Sequence, residues 1–134
     1  MKPARKQSRG SKRLKKLLVV DDSVAVRSSL IAYCGELRGI EVVAQAEDGE
    51  QAIVAFTVHN PDLVTLDMQM PRIGGMEVLR VIKNRKPECC VLVLTAAPRD
   101  MISRQCRELG ADFLFDKNTQ LEVALRTLSR LARA

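Results

Sequence analysis

Five times along this chain a short apolar run is followed by a longer segment of helical period, and that alternation constrains the fold more than any other feature. The runs are Leu17–Val20, Ile40–Ala44, Leu63–Leu66, Val91–Leu94 and Phe113–Phe115. Each is short and mostly apolar at successive positions, which fits a strand covered on both faces. Between them, Val26, Leu30, Cys34 and Leu37 recur at helical spacing, with Ser23 placed to cap the first turn. Ala52, Ile53 and Phe56 mark a second helix over Gly49–Val58, and Met76, Leu79, Val81 and Ile82 a third after the Pro71–Gly75 loop. A weaker fourth runs from about Asp100 to Leu109, and Leu121, Leu125, Leu128 and Leu131 stripe the fifth.

Five such units predict a parallel sheet with helices on both faces and right-handed crossovers. At 134 residues there is room for one domain. The expected architecture is α/β, a doubly wound (βα)5 sheet of flavodoxin-like strand order 2-1-3-4-5. With three Phe, one Tyr and no Trp, its core has to be aliphatic.

In an open sheet of this kind ligands bind beyond the carboxyl ends of the strands, where the strand order reverses between strands 1 and 3. The first strand ends in Asp21-Asp22, the third in Asp67, the fourth in Thr95 and the fifth in Asp116-Lys117, whereas the second ends in unreactive Gln45. Carboxylates gathered at one edge repel unless a cation sits among them. Mg²⁺ suits a site of few hard oxygen ligands that keeps several waters. Such an ion can also neutralise charge on a phosphoryl group under attack by a carboxylate. Lys117 adds a mobile positive charge and Thr95 a hydroxyl donor. No Gly-rich phosphate loop is present, so a nucleotide need not be the donor.

The formal net charge of +6 suggests nucleic acid until it is mapped. Eight of the 22 basic residues lie in 1–16 with no acid among them; the rest of the chain holds 14 basic and 16 acidic residues, a net of −2. Residues 1–13 read as a basic disordered tail and 14–134 as the folded domain. The tail suits RNA, DNA or an anionic membrane surface, against the plainer reading of a solubilising extension. Leu17–Val20 is too short for a secretory signal, and no stretch reaches membrane-span length. Cys34, Cys89, Cys90 and Cys106 lack a zinc spacing and read as reduced thiols of a cytoplasmic protein. His59, the only histidine, falls at the end of the second helix, away from the acidic edge.

The strings "LLVVDDS", "AEDGEQAI", "PDLVTLDMQMP", "VLVLTA" and "GADFLFDK", in this order and at these separations, resemble the receiver domain of two-component response regulators over about residues 14–134. The resemblance implies that Asp67 accepts a phosphoryl group from a histidine kinase or histidine phosphotransfer protein. It implies that Asp22 binds Mg²⁺ directly, Asp21 through water, and Asp67 and the backbone carbonyl of Gln69 complete the protein ligands. Thr95 is then the switch hydroxyl and Lys117 the countercharge. Such a protein catalyses only its own phosphorylation and dephosphorylation. With no output domain in view, it is expected to stand alone, as a chemotaxis-regulator-like receiver. It would signal to a separate partner through the surface of the fourth helix, fifth strand and fifth helix, as a monomer or a phosphorylation-dependent dimer.

Three departures from the family pattern bear on mechanism. Asn118 follows Lys117 where a proline is usual, and a non-proline bond prefers trans. Leu114 stands at the usual aromatic position, with Phe113 and Phe115 expected on the other face by strand alternation. Gly74-Gly75 replaces an acid followed by glycine, which suggests a mobile loop. Gln69 and Ala97 hold the two positions that flank the site. Two other readings compete. A Mg²⁺-dependent phosphohydrolase of haloacid dehalogenase type would place its nucleophile after the first strand in a D-x-D pattern, but here the aspartates are adjacent. A nucleic-acid or surface-binding adaptor would rest on the basic tail.

Overall fold

The computed structural model describes residues 13–96 and 100–134. Ten elements alternate: β1 (Lys15–Val20), α1 (Val24–Gly35), β2 (Ile40–Ala46), α2 (Gly49–His59), β3 (Leu63–Leu66), α3 (Gly75–Arg85), β4 (Cys90–Thr95), α4 (Asp100–Glu108), β5 (Phe113–Asp116) and α5 (Leu121–Arg133). All neighbouring strands pair parallel in the order β2-β1-β3-β4-β5, the expected doubly wound sheet. Strand β2 runs on to Ala46, past the expected Ala44. The β1–β2 register slips between Leu17 and Leu18, so Leu17 pairs with Val42 and Leu18 with Ala44, and the bulge keeps the longer strand in step.

Strand alternation sorts the core into two layers. Leu18, Val20, Val64, Leu66, Val91 and Val93 face Ala52 and Phe56 of α2, Val78, Leu79 and Ile82 of α3, and Cys106 of α4. Leu17, Val19, Leu63, Leu92, Leu94 and Phe115 face Leu30 and Cys34 of α1 and Ala124 and Leu128 of α5. Consecutive strand residues are thus apolar because each lies under a different helix layer.

The caps follow local chemistry. Ser23 accepts a hydrogen bond from the Val26 N–H at 3.2 Å and starts α1; the Asp48 carboxylate accepts from the Gln51 N–H at 2.8 Å and starts α2. Asn60 ends α2 in the left-handed region, φ 48°. At the fifth strand Leu114 packs into the α2–α3–α4 layer, while Phe115 lies in the other layer and stacks on Phe113 at 6.0 Å, the alternation expected of them. The basic tail falls outside the described residues except for Arg13, whose guanidinium forks onto Asp62 at 2.9 and 3.2 Å.

Candidate functional site

Parallel pairing carries the strand-end residues to one edge. The ladder continues one step past the strands: the Asp67 N–H donates to the Val20 carbonyl at 3.0 Å and the Lys117 N–H to the Thr95 carbonyl at 2.8 Å. Oxygens of Asp21, Asp22 and Asp67 come within 4.8 Å of one another. Asp21 and Asp67 are buried, at 1% exposure each, and Asp22 is exposed. The Lys117 ammonium reaches between the two buried carboxylates, 2.9 Å from Asp21 Oδ2 and 3.3 Å from Asp67 Oδ2. Asp116 takes no part in this cluster. Its Oδ1 accepts from the Asn118 N–H at 2.8 Å and turns the chain toward α5.

Two carboxylates share one ammonium, and the shortage shows in the titration of Asp67. Burial pushes the Asp67 carboxyl up to about 6, the Asp21 charge adds to this, and the Gln69 N–H and Lys117 only partly offset it. For Lys117 burial works against the ammonium, but Asp21 and Asp67 outweigh it and hold its pKa above the ordinary lysine value. A buried site carrying net negative charge on hard oxygen donors fits a small dication. The residues present are therefore of the right kind for Mg²⁺. The structure also puts the Gln69 backbone beside Asp67, its N–H donating to Asp67 Oδ1 at 3.1 Å.

The Thr95 hydroxyl is fully buried and its Oγ1 has no hydrogen-bond partner among the described residues. Asn118 does not leave its loop loose. Its side-chain amide donates to the Ala96 carbonyl at 3.2 Å, tying the β5–α5 turn to the end of β4. The described backbone contains no cis peptide bond. Gly75 has a packing reason: a Cβ there would overlap the Asp67 carbonyl and the Met68 Cα. Ala97 lies outside the described residues.

Some supporting contacts were not visible in the sequence. Arg27 of α1 donates to the Asp21 carbonyl at 2.7 Å and to Gln45 Oε1 at 2.9 Å, clamping the β1–α1 turn. Asp21 Oδ1 accepts from the Ser23 N–H at 2.8 Å, so the same carboxylate shapes that turn. The Cys106 thiol of α4 meets the Met68 thioether at 3.6 Å, one residue past Asp67. Only the helical spacing of Arg27, one turn after Ser23, hinted at any of these.

The family model described as the response regulator receiver domain matches residues 17–128. The response regulator GacA of Pseudomonas aeruginosa is 31% identical over 116 residues, which cover 87% of this chain and 54% of that protein. The protein-glutamate methylesterase/protein-glutamine glutaminase 6 of Anaeromyxobacter dehalogenans is 40% identical over 106 residues, 78% of this chain and 30% of that protein. The chain thus spans about half or less of the length of these curated relatives. Among solved structures, the response regulator domain of Thermotoga maritima CheB superposes with a TM-score of 0.77 at 25% identity, covering 90% of this chain and 95% of that one. The CheX-CheY-BeF3-Mg+2 complex from Borrelia burgdorferi gives 0.76 at 29%, covering 87% and 89%. No described helix is long and apolar enough to cross a membrane. With sequence, strand order and acidic edge in agreement, this chain belongs to the response regulator receiver domain family.

Proposed function

We propose that Asp67 is the phosphoacceptor of a two-component signalling step. The observation that carries this reading is the convergence of three carboxylates, one ammonium and one hydroxyl unpartnered among the described residues at the carboxyl ends of β1, β3, β4 and β5. An ionised Asp67 oxygen attacks the phosphorus of a phosphohistidine on a kinase or phosphotransfer protein. The P–O bond forms as the P–N bond breaks, and the imidazole leaves. With a pKa of about 6 the carboxylate is largely ionised at neutral pH yet sits in a site short of positive charge. Asp22, Asp67, Asp21 and the Gln69 carbonyl would hold Mg²⁺. Bound there, it supplies neutralising charge for the transferred oxygens.

Lys117 stands against Asp67 Oδ2 and is placed to pair with the phosphoryl group once the carboxylate charge is spent in the acyl phosphate. The Thr95 Oγ is a neutral donor at the edge without a partner among the described residues, and a phosphoryl oxygen offers it one. That new bond biases the β4–α4 segment, and the α4–β5–α5 surface is the face through which a partner reads the change. Labelling with acetyl phosphate and Mg²⁺ tests the acceptor. Wild type gains one hydroxylamine-labile phosphoryl group and Asp67→Asn gains none. Equal labelling of the two proteins removes Asp67 from the role.

A further inference from the structure

The loop between β3 and α3, residues 67–74, carries the Gln69 backbone past the acceptor, and one residue in it adopts a backbone conformation its type seldom takes. Arg72 has φ 63°, the left-handed region that costs any residue with a Cβ and that glycine or asparagine usually fills. Its guanidinium crosses to the start of α2, with Nη1 3.2 Å from Asp48 Oδ2 and 3.9 Å from Glu50 Oε1. Asp48 is not a casual surface partner. Its side chain is buried, and its other oxygen is already used to cap α2 through the Gln51 N–H.

The two segments also meet through backbone. A Cβ on Gly49 would overlap the Ile73 carbonyl, so α2 begins in direct contact with the loop. On the other side Gly75 abuts the Asp67 carbonyl, and the Gly75 N–H donates to the Met68 carbonyl at 3.3 Å. The loop is pressed between α2 and the end of β3, and among the described residues the ionic tie across it comes from Arg72.

We propose that Arg72 is a positioning residue for the metal site, latching the β3–α3 loop to Asp48 so that the Gln69 carbonyl is held ready for Mg²⁺. The inference rests on the reading of Asp21, Asp22, Asp67 and Gln69 as the Mg²⁺ site. Because the Arg72 side chain is two-thirds exposed, the ion pair itself adds little to global stability. The left-handed backbone subtracts from it. A residue that is unhelpful to the fold and tied to a buried carboxylate is accounted for by what it holds in place. Groups that orient a ligand from one shell out commonly change metal affinity without touching the ion.

The test is Mg²⁺ titration by calorimetry on the whole chain, with the metal-free thermal midpoint as a second readout. Arg72→Gly removes the tie and relieves the backbone. It is expected to weaken Mg²⁺ binding by about tenfold, while the metal-free midpoint stays level or rises. Arg72→Lys, which keeps a cation within reach of Asp48 and Glu50, is expected to recover most of the lost affinity. If Arg72→Gly binds Mg²⁺ as tightly as wild type, or loses affinity only in step with a lower midpoint, the latch is wrong. Absent saturable binding by wild type, or binding unchanged in Asp22→Asn, overturns the metal site itself and the latch with it.

Discussion

Replacing Asp67 with asparagine should make the metal-free protein more stable, and the site's charge balance sets by how much. In wild type two buried carboxylates face one ammonium, a net charge of −1 taken out of water. The folded state raises Asp67 from 3.8 to about 6. Because the folded value lies above the unfolded one, the ionised carboxylate destabilises the fold. Stability is therefore highest below about pH 4 as far as this group is concerned, and is lost as pH rises through 6. Raising the carboxyl from 3.8 to about 6 corresponds to roughly 3 kcal/mol at neutral pH, a ceiling because local relaxation of the site around the charge recovers part of it. The amide of the Asp67→Asn variant would keep one acceptor oxygen where wild type turns Oδ2 to Lys117 and Oδ1 to the Gln69 N–H, and would leave Lys117 and Asp21 as a balanced pair. We expect Asp67→Asn to gain about 1–3 kcal/mol at pH 7.5 in chelator, or roughly 5–10 °C in the thermal midpoint. The gain should shrink toward zero near pH 4, and Mg²⁺ should narrow it by stabilising wild type. Urea unfolding across that pH range measures all three. A variant no more stable than wild type at pH 7.5, or a gain independent of pH, would refute the charge-shortage account.

Lys117→Met strands the two buried carboxylates without a cation. It should cost about 3 kcal/mol or more at neutral pH, read by urea melts, with a smaller loss once acid protonates Asp67. Gly75→Ala drives a Cβ into the Asp67 carbonyl, whereas at Gly35 a Cβ meets nothing within 4 Å. The first should destabilise by about 1–3 kcal/mol and the second should be neutral or mildly stabilising, so equal midpoints for the pair would contradict the packing described. Burial pushes the thiols of Cys34, Cys89 and Cys90 up to about 11, 12 and 11, and raises Cys106 as well. Ellman's reagent at pH 8 should therefore react slowly with the native protein and promptly with all four thiols in urea.

The departures from the family pattern find local explanations. Leu114, at the position usually aromatic in the family, packs with the α2–α3–α4 layer that holds Cys106 and Met68. Apolar contact between α4 and the β3–α3 loop thus exists without an aromatic ring. Asn118 substitutes a hydrogen bond to the Ala96 carbonyl for the rigidity a proline would bring. In linear order Gly74-Gly75 suggested mobility. In the fold Gly75 is required by close approach to the Asp67 carbonyl, and the loop is tied at Arg72.

The architecture was legible because a buried parallel strand has to be apolar on both faces and a covering helix on one, and those two periods differ. The succession of elements, the strand order and the residues at the acidic edge all followed from that contrast together with the polar residue ending each run. Asp67 and its companions could be placed because strand ends in this topology share one edge. Three things had no trace in linear order. The β1–β2 bulge depends on cross-strand register. The reach of Lys117 to both Asp21 and Asp67, and the resulting rise of the Asp67 pKa, depend on burial that only packing creates. The Arg72–Asp48 tie joins residues 24 positions apart through a backbone angle that no propensity favours. Local chemistry determined which groups this protein brings to its site; the tertiary structure decided how many charges each must share, because electrostatic energy depends on distance and desolvation, and neither is written in the order of residues.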